Sequence, residues 1–430
     1  MPTTASPAVR AGTAAQKRRA AQVAPPPRAP AAPAVPAAPA RQAADPAGVE
    51  ADPADPAGVQ EAAGRWRWLS GVAGLLTTPL SPRDYLAMVD PLRWSRELCG
   101  RVEQVRPETA DAATLVIRPG AAWRARAGRW RAGQHVRVGV DVDGARCWRT
   151  YSLSSPPGRG DGRFTITVRA VAGGRVSPYL VHRLRPGTLV RLGVPQGSFV
   201  LPDRLPRRLL FVTAGSGITP VMGMLRELAA RAGAGDGGGG RAGLGVDVVL
   251  VHCAPTADDV IFGGELRALA ARSGWLRLHE RHTRLAGRLD LARLDRLCPD
   301  WAGRQAWVCG PPGLLQAAQE QWRRAGVAGR LRVERFGPVL AGPAGAGGRV
   351  SFVRSGRRVD ADGATPLLAV GEGAGVLMPG GCRMGVCRTC VSRLVSGRVR
   401  DLRTGRVFGE GGELVQTCVT AAAGDVEIDR

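Results

Sequence analysis

Four cysteines near the carboxyl end carry the most specific chemistry in this sequence. Cys382, Cys387, Cys390 and Cys418 follow the spacing C-x4-C-x2-C-x27-C, the first three inside "PGGCRMGVCRTC" (379–390). A structural zinc site usually takes its ligands as two close pairs, and Cys418 has no near neighbour. A redox pair of Cys387 and Cys390 would leave Cys382 and Cys418 without a role. Three cysteines at x4 and x2 with a distant fourth is the spacing of a [2Fe–2S] cluster. Its thiolates and sulfides carry net negative charge that backbone N–H groups must meet. Gly380, Gly381 and Gly385 let the main chain wrap that closely. The spacing predicts a one-electron carrier, with zinc and a disulfide as the lesser alternatives.

Such a carrier needs a source of electrons, and the preceding chain offers candidates. "RTYSLSS" (149–155) closes a strand, and "GGRVSPYL" (173–180) places two glycines and a serine before a helical run. Arg149 offers a fork-shaped donor suited to pyrophosphate, and the amides of Gly174, Val176 and Ser177 would form an anion site at a helix start. "VTAGSGITP" (212–220) reads as strand, turn and helix, with G-x-G-x-x-P in place of the full dinucleotide fingerprint. "VCGPPG" (308–313) ends another strand.

These motifs, in this order, resemble the ferredoxin–NADP reductase superfamily, and residues 349–430 resemble a plant-type ferredoxin domain. The resemblance implies FAD, with Tyr151 packed on the isoalloxazine ring, Ser152 hydrogen-bonded near its N5, and Arg149, Gly174, Val176 and Ser177 around the pyrophosphate. It implies NADPH or NADH approached by Gly215, Gly217 and Thr219, with Cys309 and Gly310 beside the nicotinamide and "ERF" (334–336) near the flavin. Cys382, Cys387, Cys390 and Cys418 become the cluster ligands. No side chain is expected in a catalytic acid or base role, because the cofactors carry the chemistry. One departure stands out: ferredoxin domains of this type are commonly acidic, and this one is rich in arginine.

The elements that must position these residues follow from the apolar rhythm. Residues 1–64 are mostly Ala and Pro, too poor in large apolar side chains to offset ordering entropy, and read as a disordered tail. Residues 65–98 read as a helical leader with a start at Ser81–Pro82. Short alternating runs punctuated by turns over 99–205 predict an antiparallel β-barrel for FAD. Apolar strands alternating with helices over 206–338 predict an α/β domain with a parallel sheet for NAD(P). A Gly-rich linker (339–348) leads to an α+β, β-grasp-like ferredoxin domain (349–430), where "TPLLAVGEG" reads as a helix capped by Thr365 with Pro366 first.

Composition narrows the function classes. The net charge of +24 comes almost wholly from arginine, since Lys17 is the only lysine. The arginines are spread along the chain without a basic helix, which argues against nucleic-acid binding. Nine cysteines without a secretory signal point to a reducing compartment. No run approaches the ~20 apolar residues of a membrane span, so a soluble cytoplasmic protein is expected, peripheral to a membrane through its partner. His279 and His282 have no apparent carboxylate or cysteine partner, and no G-x-S-x-G nucleophile motif occurs.

The leader "TTPLSPRDYLAMVDPL" with "RVEQVRPETADAATLVIRPG" most resembles reductases that donate to membrane fatty-acid desaturases. Reductases of oxygenases or alkane hydroxylases are the alternative acceptor systems. A redox-sensing interaction protein and a zinc-bound adaptor are readings from other classes. Arg281 and Arg284 after the third parallel strand favour NADPH over NADH.

Overall fold

The computed structural model describes residues 81–234, 245–337 and 345–430. The expected disordered tail, the leader before Ser81, most of the Gly-rich loop near 240 and much of the linker lie outside these residues. The described chain opens on helix α1 (Pro82–Val89), where the Asp84 carboxylate accepts from both the amide (3.0 Å) and the hydroxyl (2.6 Å) of Ser81. Helix α2 (Pro91–Trp94) starts at Asp90, whose carboxylate accepts from the Leu92 and Arg93 amides. Two prolines at first helical positions set both starts, where a missing N–H costs nothing.

The first domain is a six-stranded antiparallel sheet of β1 (Cys99–Thr109), β2 (Ala112–Pro119), β3 (His135–Val142), β4 (Ala145–Ser152), β5 (Phe164–Arg169) and β6 (Leu189–Leu192), in the order β4-β3-β6-β1-β2-β5. A bridge between Leu153 and Ile166 brings the two ends together, closing a barrel. Inward-facing residues such as Val102, Leu115, Ile117, Val138 and Ile166 fill it, and Trp123 of helix α3 (Ala121–Ala127) stacks on Phe164 at 5.0 Å between centroids.

The second domain has five parallel strands, β7 (Arg208–Ala214), β8 (Asp247–Ala254), β9 (Leu276–His282), β10 (Gln305–Cys309) and β11 (Leu331–Glu334), in the order β11-β10-β7-β8-β9. Helices α4 (Ile218–Ala234) and α5 (Gly263–Arg272) cover one face and α6 (Pro312–Arg324) the other. Both faces are buried, so the strands read as continuous apolar runs and not as alternation. Phe211 and Leu250 point to one core, Val212 and Val251 to the other. The amino ends of the strands are locked by Arg304, whose guanidinium donates to Asp300 (2.8 Å), Asp247 (2.5 Å) and the Leu209 carbonyl (3.2 Å). That leaves the carboxyl ends for chemistry, as the crevice rule for open α/β sheets requires.

Barrel and α/β domain meet without space for side chains. A Cβ on Gly223 of α4 would lie 2.6 Å from the Leu153 carbonyl oxygen, and one on Gly133 would lie 2.4 Å from the Met224 Cε of α4. Arg226 donates across the seam to the Ser154 carbonyl at 2.6 Å.

The third domain contains β12 (Gly348–Phe352), β13 (Arg357–Ala361), helix α7 (Leu367–Gly373), β14 (Val391–Asp401), β15 (Val407–Phe408), β16 (Leu414–Gln416) and β17 (Thr420–Ile428). The sheet runs β13-β12-β17-β14-β15, with β16 on β14, and only β12–β17 is parallel. α7 starts one residue later than expected: Pro366 occupies the cap position and Thr365 does not cap it. The Thr365 amide is bound by the Asp362 carboxylate (2.7 Å), and the Leu368 amide by the Thr417 carbonyl (2.9 Å). The neighbouring loop thus satisfies, at Leu368, an amide that a serine or threonine cap would have served. Among the described residues no helix is long and apolar enough to cross a membrane.

Candidate functional site

The cysteine loop runs from the end of α7 into β14 and folds on its own backbone. The Cys387 sulfur accepts from the Cys382 amide at 3.2 Å and from the Thr389 hydroxyl at 3.2 Å. The Cys382 sulfur accepts from the amides of Met384 (3.4 Å) and Cys387 (3.3 Å). A Cβ on Gly381 would come within 2.5 Å of the Cys387 sulfur, so glycine is required there. Arg383 and Arg388 both adopt left-handed backbone, at φ 57° and 55°, a conformation rare for residues with a Cβ and concentrated at functional sites.

The other two cysteines form a second pair. Cys390 and Cys418 are buried, and their interaction with each other lowers the Cys390 thiol and raises that of Cys418. The loop carrying Cys418 is tied to the first by Thr417, which donates to the Cys390 carbonyl (2.8 Å), and by Gln416, which donates to the Gly385 carbonyl (3.0 Å). Burial pushes the Cys387 thiol up, but the Cys382 amide and Thr389 hydroxyl bring it down to about 7. Among the described residues no three His, Cys, Asp or Glu side chains converge on a single metal ion. Two thiol pairs in one loop system, the first supplied with N–H and O–H donors to its sulfurs, suit a binuclear cluster that takes two thiolates per iron.

The barrel side of the site is the end of β4. Ser152 is buried beside His135 in the β3–β4 register, and Tyr151 beside Val136. Burial raises the Tyr151 phenol above its usual range. Arg149 is largely buried, and burial followed by the Arg383 charge lowers its pKa, with Glu372 acting in opposition. Its guanidinium lies 3.9 Å from the Glu372 carboxylate on α7, which is also bonded through both oxygens to Arg383. The expected pyrophosphate donor therefore faces the ferredoxin domain here. Gly174 and Ser177 close their own turn: the Gly174 amide donates to the Val171 carbonyl (2.9 Å), and the Ser177 hydroxyl accepts from the Val171 amide (3.1 Å). Val176 is a core residue of the barrel. The helical run after it is a single turn (Val176–Pro178) continued by a π-turn (Tyr179–Arg183).

The α/β side brings together every residue named from its motifs. Gly215 and Gly217 form one 3-10 turn after β7, and the Thr219 hydroxyl donates to the Ser216 carbonyl at 3.0 Å. A Cβ on Gly217 would lie 2.1 Å from the Cys309 carbonyl oxygen, and one on Gly310 would lie 3.2 Å from the Ala214 Cβ. Gly217 thus lets the second strand end close on the first. Cys309 is fully buried, and burial holds its thiol well above the ordinary range.

Glu334, the first residue of the "ERF" stretch expected near the flavin, pairs in register with Cys309, and its carboxylate sits 3.7 Å from the His135 ring. Other residues escaped sequence reasoning. His252 is fully buried and bonded to the Thr213 hydroxyl at 2.8 Å. The view that His282 has no carboxylate partner is corrected: Glu280 lies 3.3 Å from it, the two facing the same side of β9 two residues apart. Arg281 is bonded to the carbonyls of Ala286 and Gly287, while the Arg284 amide meets the Pro255 carbonyl.

Comparison with known proteins matches all three domains. The family described as "Oxidoreductase FAD-binding domain" matches residues 124–201, "Oxidoreductase NAD-binding domain" residues 211–320, and "2Fe-2S iron-sulfur cluster binding domain" residues 352–423. An "NADPH oxidoreductase" of Mycobacterium tuberculosis is 51% identical over 366 residues, covering 85% of this chain and 92% of that one. The ferredoxin reductase component of 3-ketosteroid-9-alpha-monooxygenase from Mycolicibacterium smegmatis is 32% identical over 360 residues, covering 75% and 96%. Phthalate dioxygenase reductase, a modular structure for electron transfer from pyridine nucleotides to [2Fe–2S], shares the fold with a TM-score of 0.51 at 21% identity, covering 78% and 98%.

Proposed function

This chain belongs to the ferredoxin–NADP reductase superfamily of oxidoreductases that carry a 2Fe-2S domain, and from that premise we propose that it takes electrons from NADPH and delivers them singly to an oxygen-activating metalloenzyme. It is an oxidoreductase using FAD, a pyridine nucleotide and a [2Fe–2S] cluster. FAD supplies the conversion of a two-electron hydride into single electrons, and the cluster carries them one at a time.

The chain's own residues divide the work by position. Cys382, Cys387, Cys390 and Cys418 hold the cluster as two pairs. Tyr151 and Ser152 face the flavin ring, and Arg149 with the turn from Gly174 through Val176 to Ser177 anchors its phosphates. Gly215, Gly217 and Thr219 admit the nicotinamide nucleotide, with Cys309 and Gly310 walling the ring site. The observation that carries the reading is the seam itself: Arg149, two residues before Tyr151 and three before Ser152, faces Glu372 and Arg383, and Arg383 adjoins Cys382.

The preference for NADPH draws on Arg284 and on the name of the mycobacterial relative, an NADPH oxidoreductase. A membrane fatty-acid desaturase is our first acceptor, on the leader sequence around Ser81, and that would bring the protein to a membrane surface through its partner. The terminal component of an oxygenase is the second, favoured by the similarity to the reductase component of the steroid monooxygenase.

An anaerobic absorption spectrum before and after NADPH, then NADH, is the test. Flavin and cluster bands that bleach together, faster with NADPH, are expected. A protein with flavin bands alone would remove the cluster reading, and one reduced faster by NADH would reverse the donor.

A further inference from the structure

The cluster loop touches the barrel at a second point, apart from the Arg149–Glu372–Arg383 contact. Arg137 of β3 donates from its Nη2 to the Thr389 hydroxyl at 3.4 Å, at the long end of a hydrogen bond. The same hydroxyl donates to the Cys387 sulfur at 3.2 Å. A threonine hydroxyl can accept one bond while giving another, so the two contacts form a continuous relay from the flavin domain to a cysteine sulfur.

Charge accounting sets Arg137 apart from its neighbours. Arg383 is bonded to Glu372, and Arg403 to Asp401 at 2.6 Å. Arg388 is exposed, where water and salt screen it. Arg137 is half-buried, its Nε is buried without a partner, and among the described residues no carboxylate pairs with it. Its guanidinium is held 5.1 Å above the Trp148 ring, a stacking that suits a planar cation. Trp148 in turn lies across Gly139, where a Cβ would come within 2.9 Å of the indole. Arg137 thus brings to the cluster seat a half-buried cation that no carboxylate pairs with among the described residues.

We propose that Arg137 is a positioning residue that acts through Thr389 to raise the reduction potential of the cluster when the ferredoxin domain is docked on the barrel. The inference rests on the cluster reading given above. Reduction adds one negative charge to the cluster, and hydrogen bonds to its sulfurs favour the reduced state. Arg137 polarises the Thr389 hydroxyl and fixes its rotamer, so the bond to sulfur is strongest in the docked arrangement. Undocking, once an electron has been received, removes Arg137 and leaves a more strongly reducing cluster for the external acceptor.

The experiment is a redox titration of the full-length holoprotein, followed by electron paramagnetic resonance of the reduced cluster, on wild type, Arg137→Gln, Arg137→Lys, Thr389→Val and the double variant Arg137→Gln/Thr389→Val. Each of Arg137→Gln and Thr389→Val should shift the oxidised-to-reduced ratio at fixed poise toward oxidised by up to about tenfold, or about 59 mV for a one-electron couple. The double variant should fall no further than Thr389→Val, and Arg137→Lys should recover part of the loss. An Arg137→Gln protein with wild-type potential, or an undiminished Arg137→Gln effect in the Thr389→Val background, would overturn the proposal. Wild-type protein lacking the signal of a reduced [2Fe–2S] centre would instead overturn the cluster reading beneath it.

Discussion

His252 shows how much of this protein is decided at single side chains that the chemistry does not advertise. It occupies an inward position on a central parallel strand, in register with Thr213 on one side and Glu280 on the other. Burial lowers its pKa to about 4, with Glu280 opposing and His282 reinforcing the shift. The unfolded chain takes up a proton near the ordinary value of about 6.5, and the folded chain does not. Stability is therefore full above 6.5 and is lost as pH falls from there toward 4, by roughly 3 kcal/mol at most. A series of urea melts from pH 7 to pH 4 should show that slope in wild type and a shallower one in His252→Asn. Equal slopes would mean the ring titrates alike in both states. Nothing in "VLVHCAPT" distinguishes such a histidine from a surface one, because its partners are supplied by strands 39 residues before it and 28 after. The cysteines were legible for the opposite reason: three of four ligand candidates lie within nine consecutive residues, so local spacing carries the geometry.

At the scale of elements, periodicity carried the reading furthest where burial is simplest. The two-faced burial of β7, β8 and β10 leaves unbroken apolar runs, and the barrel strands leave alternation, so both sheets could be read from the chain. The cap of α7, expected at Thr365, lies at Pro366, and the Leu368 amide is served from outside by the Thr417 carbonyl. The G-x-G-x-x-P turn was recognised as a nucleotide element, but the use of its second glycine was not visible: Gly217 gives way to the strand end at Cys309, which lies far off in sequence. Gly217→Ala should destabilise the α/β domain by roughly 1–3 kcal/mol through overpacking and push the Cys309 carbonyl away from the turn. Thermal unfolding with and without NADPH checks this: a lowered midpoint and a reduced nucleotide-induced rise are expected. An unchanged midpoint would show that the two loops part without cost.

For the whole molecule, the contacts between domains differ in kind. Glu372 holds Arg383 and faces Arg149, so Glu372→Gln would leave two guanidinium groups opposed across the seam. The loss is roughly 1–2 kcal/mol, a five- to thirtyfold shift in docking. Rapid mixing with NADPH should then show flavin bleaching at the wild-type rate and cluster bleaching slowed by a similar factor, less so at high salt, which screens the repulsion. Parallel slowing of both would place the effect at the nucleotide step. None of this seam was legible in the sequence, since it depends on side chains from three separate stretches meeting in space. The contrast with the glycine-lined junction of barrel and α/β domain has a practical consequence. Gly133 and Gly223 fit two halves that were shaped against each other, so grafting either half onto a foreign mate should yield aggregates. The third domain is attached by exchangeable charges, and a builder of chimeric reductases could swap it as a cartridge by transplanting Glu372, Arg383 and Thr389 with it.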